Sequence, residues 1–546
     1  MRILTLSLTA ALLALTAFPT FSQAQMKKKV VCTATINSNE EKETFQRYLS
    51  TDYFEFVELV KHKTDTDFLA RTCRENKVQC DVVLVSGHFG GGFTDNKNFF
   101  LSDKDMETLS CKSCPNVLNN ATMVYLFGCN TLASKQKDNR SAEEYARVLR
   151  DEVGLDSADA LATAAVRYSA LGDSFNDRLR RIFRGSAFIG GFGSKAPLGN
   201  QIEESLGGYF RALAPGITKE TVITETEKRM ISEAYIKEID RMAEGKANGK
   251  NLEIYNAGQR LQPLFADSVR GHYTDVAGIL NGTTEDFVAK QYCSFYESKD
   301  AKLRAIEQIV GTNDRSAVVQ MLPYLLEMSS RGDRAKQEQK AFLSRLSMNQ
   351  NLRDVVIGQE GVLSQLGAAP LEFLKTVDLA NNLGWISDVD QNSYYRQAAV
   401  FVWNHSSGLT KNKDLMKRIE REFPTIQASE IKPTAFEGAG IWDLIQKYHR
   451  GDQTWTDLAR QNIDLSVKYY VRKYRQAEGE IRDYPLLSKD GVNVRRKKMK
   501  DAGKDLSGFC QTAKNSALAP ELRTLLATRA QDFQTLDAGK CSKLLN

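Results

Sequence analysis

The sequence predicts an α/β fold, a doubly wound and mostly parallel sheet followed by a large all-α region. Three observations predict it. Residues 81–87 and 121–128 are apolar runs of strand length without polar alternation, as strands covered on both faces require. The segments leading to the first run alternate in the order β-α-β-α-β, which calls for parallel crossovers. After Pro215 strand-type runs almost vanish and helical periodicity takes over.

Taken in order, residues 29–36 read as a strand. Residues 40–49 read as a helix with Ser38 or Asn39 as its cap. Residues 53–60 are apolar and aromatic at strand length, and 64–77 suit a second helix. The strand 81–87 follows and delivers His88, with Phe89-Gly90-Gly91-Gly92 behind it. Residues 99–101 and 106–109 suggest a small hairpin or excursion. The strand 121–128 then delivers Cys129. Ser141 and Glu144 form a capping box that opens a helix over 141–153. Residues 156–168 and 173–183 read as two more helices, 186–193 as a strand and glycine turn, and 201–213 as a closing helix.

Beyond this point apolar residues recur at helical spacing. Ile231, Tyr235, Ile239 and Met242 share a face, as do Val318, Leu322 and Leu325. No fixed period marks a helical-repeat array. The resulting division is a leader over 1–24, an α/β domain over 25–215 and an all-α region of one or two domains over 216–546. The leader is expected from Arg2, the apolar run 3–18 and the small-x-small exit Ser22-Gln23-Ala24, the form of a cleaved signal peptide. That run is shorter than the ~20 apolar residues of a membrane span. The mature protein is therefore expected to be periplasmic or secreted.

Composition sets the remaining bounds. A chain of 546 residues exceeds one compact core. A net charge of +6 is mild for that length and gives no reason to expect a specific nucleic-acid partner. The aromatic-basic stretch 468–475 and the basic run 495–500 offer at most a weak contact to an anionic surface; helical spacing makes a solvated face with inward tyrosines the plainer reading. Export allows the nine cysteines to pair. With Cys129 set aside the remaining eight are even in number, and Cys510 with Cys541 flank what reads as a terminal helical hairpin. Cys111-Lys112-Ser113-Cys114 reads as a local structural disulfide, because neither a thioredoxin-type setting nor a second zinc ligand pair accompanies it. No metal or cofactor is expected. The phosphate-loop, dinucleotide and H-E-x-x-H patterns are absent, and Asp388-x-Asp390-x-Asn392 lacks the glycine and the terminal acid of a calcium loop.

The chemistry-bearing pair is His88 and Cys129. Neighbouring parallel strands would put both at the carboxyl edge of the sheet, where sites of open α/β folds collect. An imidazole beside a thiol is the minimum for nucleophilic cysteine catalysis. The two strand ends, Val82 to Gly90 and Val124 to Thr131, resemble those of the caspase-like (clan CD) cysteine peptidases, closest in flavour to the bacterial CHAT subgroup. The helices after Cys129 and the late strand 187–193 followed by 194–199 extend the likeness to roughly 190 residues.

The resemblance implies an exported cysteine endopeptidase acting on a protein or peptide substrate. Cys129 would be its nucleophile and His88 its general acid and base. Backbone N–H groups of Cys129 and Phe89 would receive the oxyanion. That family usually has glycine where this chain has Phe89. The acidic residue that some members place two before the cysteine is replaced by Phe127, and an acidic pocket built from Asp173 or Asp177 competes with helix capping as the use of those residues. The alternative is a catalytically inactive caspase-like fold serving as a binding or scaffold protein.

Overall fold

A computed structural model describes residues 27–247, 273–277, 293–329, 342–483 and 496–528, with short breaks inside these ranges. The leader lies outside the described residues. Five strands form a parallel sheet: β1 (Lys29–Thr35), β2 (Phe54–Glu58), β3 (Val82–Ser86), β7 (Met123–Phe127) and β8 (Phe188–Phe192). The strand order is β2-β1-β3-β7-β8, closed by β9 (Tyr273–Ala277), which runs antiparallel to β8. A separate antiparallel sheet of β4 (His88–Phe89), β5 (Gly92–Thr94) and β6 (Phe100–Ser102) rises after β3.

The lack of polar alternation in the central strands has the expected cause. Side chains alternate between two faces, and both faces are covered. Val82, Leu84, Met123 and Tyr125 pack with Phe45, Leu206, Phe210 and Tyr235 on one side. Those partners come from helices α1 (Glu40–Tyr48), α7 (Gly199–Leu213) and α8 (Glu225–Ala247). Val83, Val85, Val124 and Leu126 face the other side, against Phe68, Met106, Leu179 and Ile182. Helices α2 (Phe68–Glu75), α3 (Asp103–Lys112) and α6 (Phe175–Ile182) supply that layer. Helices α4 (Ala142–Asp151) and α5 (Ser157–Tyr168) stand between β7 and α6 in the chain.

Several local expectations meet a different outcome. The sheet's unit extends past residue 215, where the change of sequence pattern falls. Ile231, Tyr235, Ile239 and Met242 of α8 join its core, and β9 completes its edge. Residues 106–109 are helical, and the hairpin there is made instead by β6 pairing back on β5. Asn39 is the N-cap of α1 but makes no side-chain cap bond, and the Ser38 hydroxyl turns to Glu40 and Glu41. The box of Ser141 with Glu144 is present.

The C-x-x-C segment forms no local bridge. Cys111 lies in the last turn of α3 and Cys114 just past its end. Cys111 bonds Cys293 and Cys114 bonds Cys73. Cys32–Cys80 is a third disulfide, and Cys510 is also disulfide-bonded, with Cys541 outside the described residues. Such bonds persist in oxidising compartments, in agreement with an exported chain. Among the described residues no helix is long and apolar enough to cross a membrane.

The described residues from 293 onward are mostly helical and have their own core, which includes Trp403, Trp442, Leu322 and Leu374. Asp388 and Asp390 lie in the first turn of helix Asp388–Asn404, with Asp390 boxed to Ser387, so this stretch is a helix start. Tyr469 and Tyr470 are buried in the 31-residue helix Gln453–Asp483. The helical region joins the α/β unit through the Cys111–Cys293 bond, an Arg150–Glu437 ion pair of 2.8 Å and a buried triad. In that triad Glu107 of α3 accepts from Arg181 of α6 at 3.1 Å and from the Tyr324 hydroxyl of helix Arg315–Ser329 at 3.0 Å.

Candidate active site

The site grows from the register of β3 and β7. Ser86 is paired with Phe127, the Gly87 amide donates to the Phe127 carbonyl at 3.1 Å, and the next residues on the two strands are Gly87 and Gly128, followed by His88 and Cys129. Gly128 is glycine for a steric reason. A β-carbon there would stand 2.8 Å from the Gly87 carbonyl oxygen and 3.0 Å from the Phe89 β-carbon. The two backbones therefore touch at the step immediately before Cys129. Gly128→Ala is expected to push these loops apart and lower turnover about a hundredfold, since misplacement by about 1 Å costs that much. Its unfolding midpoint against that of the parent separates this effect from loss of the fold; unchanged turnover would contradict the close-packing argument.

Behind Cys129 the chain turns sharply. Asn130 takes a left-handed conformation with φ of 61°, which asparagine adopts more readily than most residues. Its amide donates to the Ser194 carbonyl at 2.6 Å, and the Leu132 amide donates to the Phe192 carbonyl at 3.0 Å. The Thr131 hydroxyl donates to the Gly128 carbonyl at 3.2 Å and accepts from the Phe192 amide at 3.1 Å. The Cys129 turn is thus clamped to the end of β8. From the segment after β8 the Ala196 amide donates to Cys129 Sγ at 3.3 Å. Cys129 is half-buried and is the one cysteine among the described residues outside a disulfide.

His88 is exposed at the mouth of the sheet. Asn37, just past β1, donates from Nδ2 to His88 Nε2 at 3.1 Å and so fixes one ring nitrogen and with it the orientation of the ring. Sequence reasoning does not single out Asn37. The signal for it lies in its position, two residues beyond a strand that borders β3 in the sheet. The loop holding Asn37 is anchored by Ser38, whose carbonyl accepts from the Ser86 hydroxyl at 2.7 Å and whose own hydroxyl bonds Glu40 and Glu41.

Glu41 is buried beneath this loop, and burial pushes its carboxyl up to about 7, with the Ser38 hydrogen bond opposing the shift. The folded protein then holds a proton that the unfolded chain has released. Stability from this group is complete below the ordinary carboxyl range and declines as pH rises to about 7, by about 3 kcal/mol. Glu41→Gln, which stays neutral, is expected to gain that amount on the parent between pH 4.5 and 7.5 in urea unfolding. A difference independent of pH would contradict it.

Phe89 raises the question of the second oxyanion donor. Its ring is buried, 4.9 Å from the ring of Phe93 and 5.1 Å from that of Phe175, so the side chain points into the core. In the hairpin Phe89 faces Phe93, while the Gly90 amide bonds the Gly92 carbonyl at 3.2 Å. Bonded and non-bonded pairs alternate in antiparallel ladders. Gly90 with Gly92 is a bonded pair, so Phe89 occupies a non-bonded position and its N–H points away from β5.

Of the acidic pocket candidates, Asp177 is taken up by a capping box with Ser174, and Asp173 lies outside the described residues. Among the described residues no cluster of His, Cys, Asp and Glu is arranged to hold a metal ion. Compared with known proteins, the chain matches no family model, no curated protein and no solved structure.

Proposed function

We propose that the protein is an exported cysteine endopeptidase of the caspase-like kind, with Cys129 as nucleophile and His88 as general acid and base. The observation that carries this reading is the contact of Gly128 with Gly87, which makes His88 and Cys129 leave adjacent parallel strands side by side at the carboxyl edge. The redox pattern supports it. Seven other described cysteines are disulfide-bonded, yet the cysteine at the sheet edge keeps its thiol.

The steps follow from the residues. The Ala196 amide favours negative charge on Sγ, because a hydrogen bond to the charged form stabilises that form. Cys129 passes its thiol proton to His88, and the thiolate attacks the scissile carbonyl carbon, forming a C–S bond as the carbonyl π pair moves to oxygen. The developing oxyanion is received by the amides of Cys129 and Phe89. His88, steadied by Asn37, gives its proton to the leaving amine as the C–N bond breaks. Water, deprotonated by His88, then cleaves the thioester and returns the thiol and a carboxylate. The direct test is incubation with an unfolded protein substrate and counting of new α-amino groups. New termini from the parent that vanish with His88→Ala support the reading. Equal cleavage by His88→Ala would remove it.

A further inference from the structure

We propose that a cavity beside the His88 hairpin receives a basic side chain, lysine or arginine, of the peptide substrate, with Glu372 of the helical region as its countercharge. This rests on the peptidase reading and adds a substrate class to it.

The cavity has a volume of about 360 Å³, at the small end of ligand pockets. One wall is the main chain of Gly90 and Gly91, two and three residues beyond His88, where Gly91 has a left-handed φ of 82°. Phe175 stands beside them, its ring edge-on to that of Phe89. The helical region also lines it, with Leu409, Leu415 and the start of helix Pro370–Asn382. The pocket lies where the two parts of the chain meet, beside the hairpin that begins at His88.

Its charge selects the occupant. Three charged residues line it: Asp103, Arg178 and Glu372. Asp103 and Arg178 neutralise one another at 2.8 Å, with the Asp103 side chain only 7% exposed. Glu372 makes no ion pair among the described residues, so the lining carries one surplus negative charge. A cavity with apolar lining and one surplus carboxylate fits a side chain with a methylene stem and a cationic head. An acidic side chain would meet Glu372 with like charge, and an apolar one would bury that carboxylate without compensation.

The test uses the full mature chain and a peptide library scanned position by position with Lys, Arg, norleucine and Glu. At one position Lys or Arg should exceed norleucine in kcat/KM by about tenfold to a hundredfold, the value of a hydrogen-bonded charge pair. Glu372→Gln should bring that ratio towards one, and Glu372→Lys should turn the preference to Glu. A second readout needs no chemistry: calorimetric titration of Cys129→Ala with agmatine, with and without Glu372→Gln. Agmatine binding that Glu372→Gln removes, where the parent chain with Cys129 intact cleaves no peptide of the library, keeps the site and ends the peptidase reading. Cleavage without a basic preference, or a preference that survives Glu372→Gln, overturns the site and leaves the peptidase reading standing. Neither preference nor agmatine binding overturns it as well.

Discussion

Replacing Cys129 with alanine is expected to lower peptide hydrolysis on the order of 10⁴-fold or more, the scale on which loss of a nucleophile acts. The fold should be untouched. Cys129 belongs to a turn held by backbone bonds, from the Asn130 amide to Ser194 and from the Leu132 amide to Phe192, and alanine keeps all of them. The sulfur accepts only weakly from the Ala196 amide, so little is lost there. His88→Ala should cost a comparable factor, because the thiol loses its proton acceptor and the leaving amine its donor. The double variant should be hardly worse than either single one, as for residues that act as a unit. Full hydrolysis by the Cys129→Ala protein would end the assignment.

The largest effect on stability is expected at the buried triad. Glu107 and Arg181 are each 3% exposed and are joined to Tyr324 of the helical region. Glu107→Gln takes the carboxylate charge away from the guanidinium in a site closed to water. Breaking such a pair from one side costs about 3–5 kcal/mol. The double variant Glu107→Leu, Arg181→Met removes both charges and should recover most of that loss. Urea unfolding of the three proteins checks it, and a single-variant loss below about 1 kcal/mol would contradict the buried-pair argument. The triad also joins α3 and α6, which frame the cavity, to the helical region, so Glu107→Gln should weaken the docking of the two parts.

What can be read from the sequence follows the range of the interactions. The strands at 82–86 and 123–127 are legible because burial on both faces leaves an unbroken apolar run. The Ser141–Glu144 box is legible because both partners lie within one helical turn. His88 and Cys129 are legible as strand ends, since each follows such a run directly. Asn37 is not, because its partner is 51 residues away and only the order of β1, β3 and β7 brings them together. The disulfide partners of Cys111 and Cys114 are hidden for the same reason, one at a separation of 182 residues. The strand β9, Tyr-Thr-Asp-Val-Ala, carries too little apolar pattern to be seen without β8 beside it. Ser38 passes for a cap because local pattern does not reveal the competition of Glu40 and Glu41 for its hydroxyl.

The role of Phe89 also becomes clear only in three dimensions. In the sequence it stands where the resembling family has glycine, and it carries the case for an inactive scaffold. In the fold its ring is packed in the core against Phe93, its β-carbon lies close to Gly128, and its N–H points away from β5. A bulky residue at this position is therefore compatible with a backbone oxyanion donor.

The central claim is that Cys129 is a nucleophile activated by His88, and covalent labelling tests it most directly. The mature protein is treated with a peptidyl acyloxymethyl ketone carrying lysine at its reactive end, and the modified residue is located by mass spectrometry. The account predicts stoichiometric addition at Cys129 alone, slowed at least about a hundredfold by His88→Ala, the scale of general acid–base assistance. Labelling of Cys129 no faster than that of an ordinary exposed thiol, at a rate that His88→Ala leaves unchanged, would contradict it.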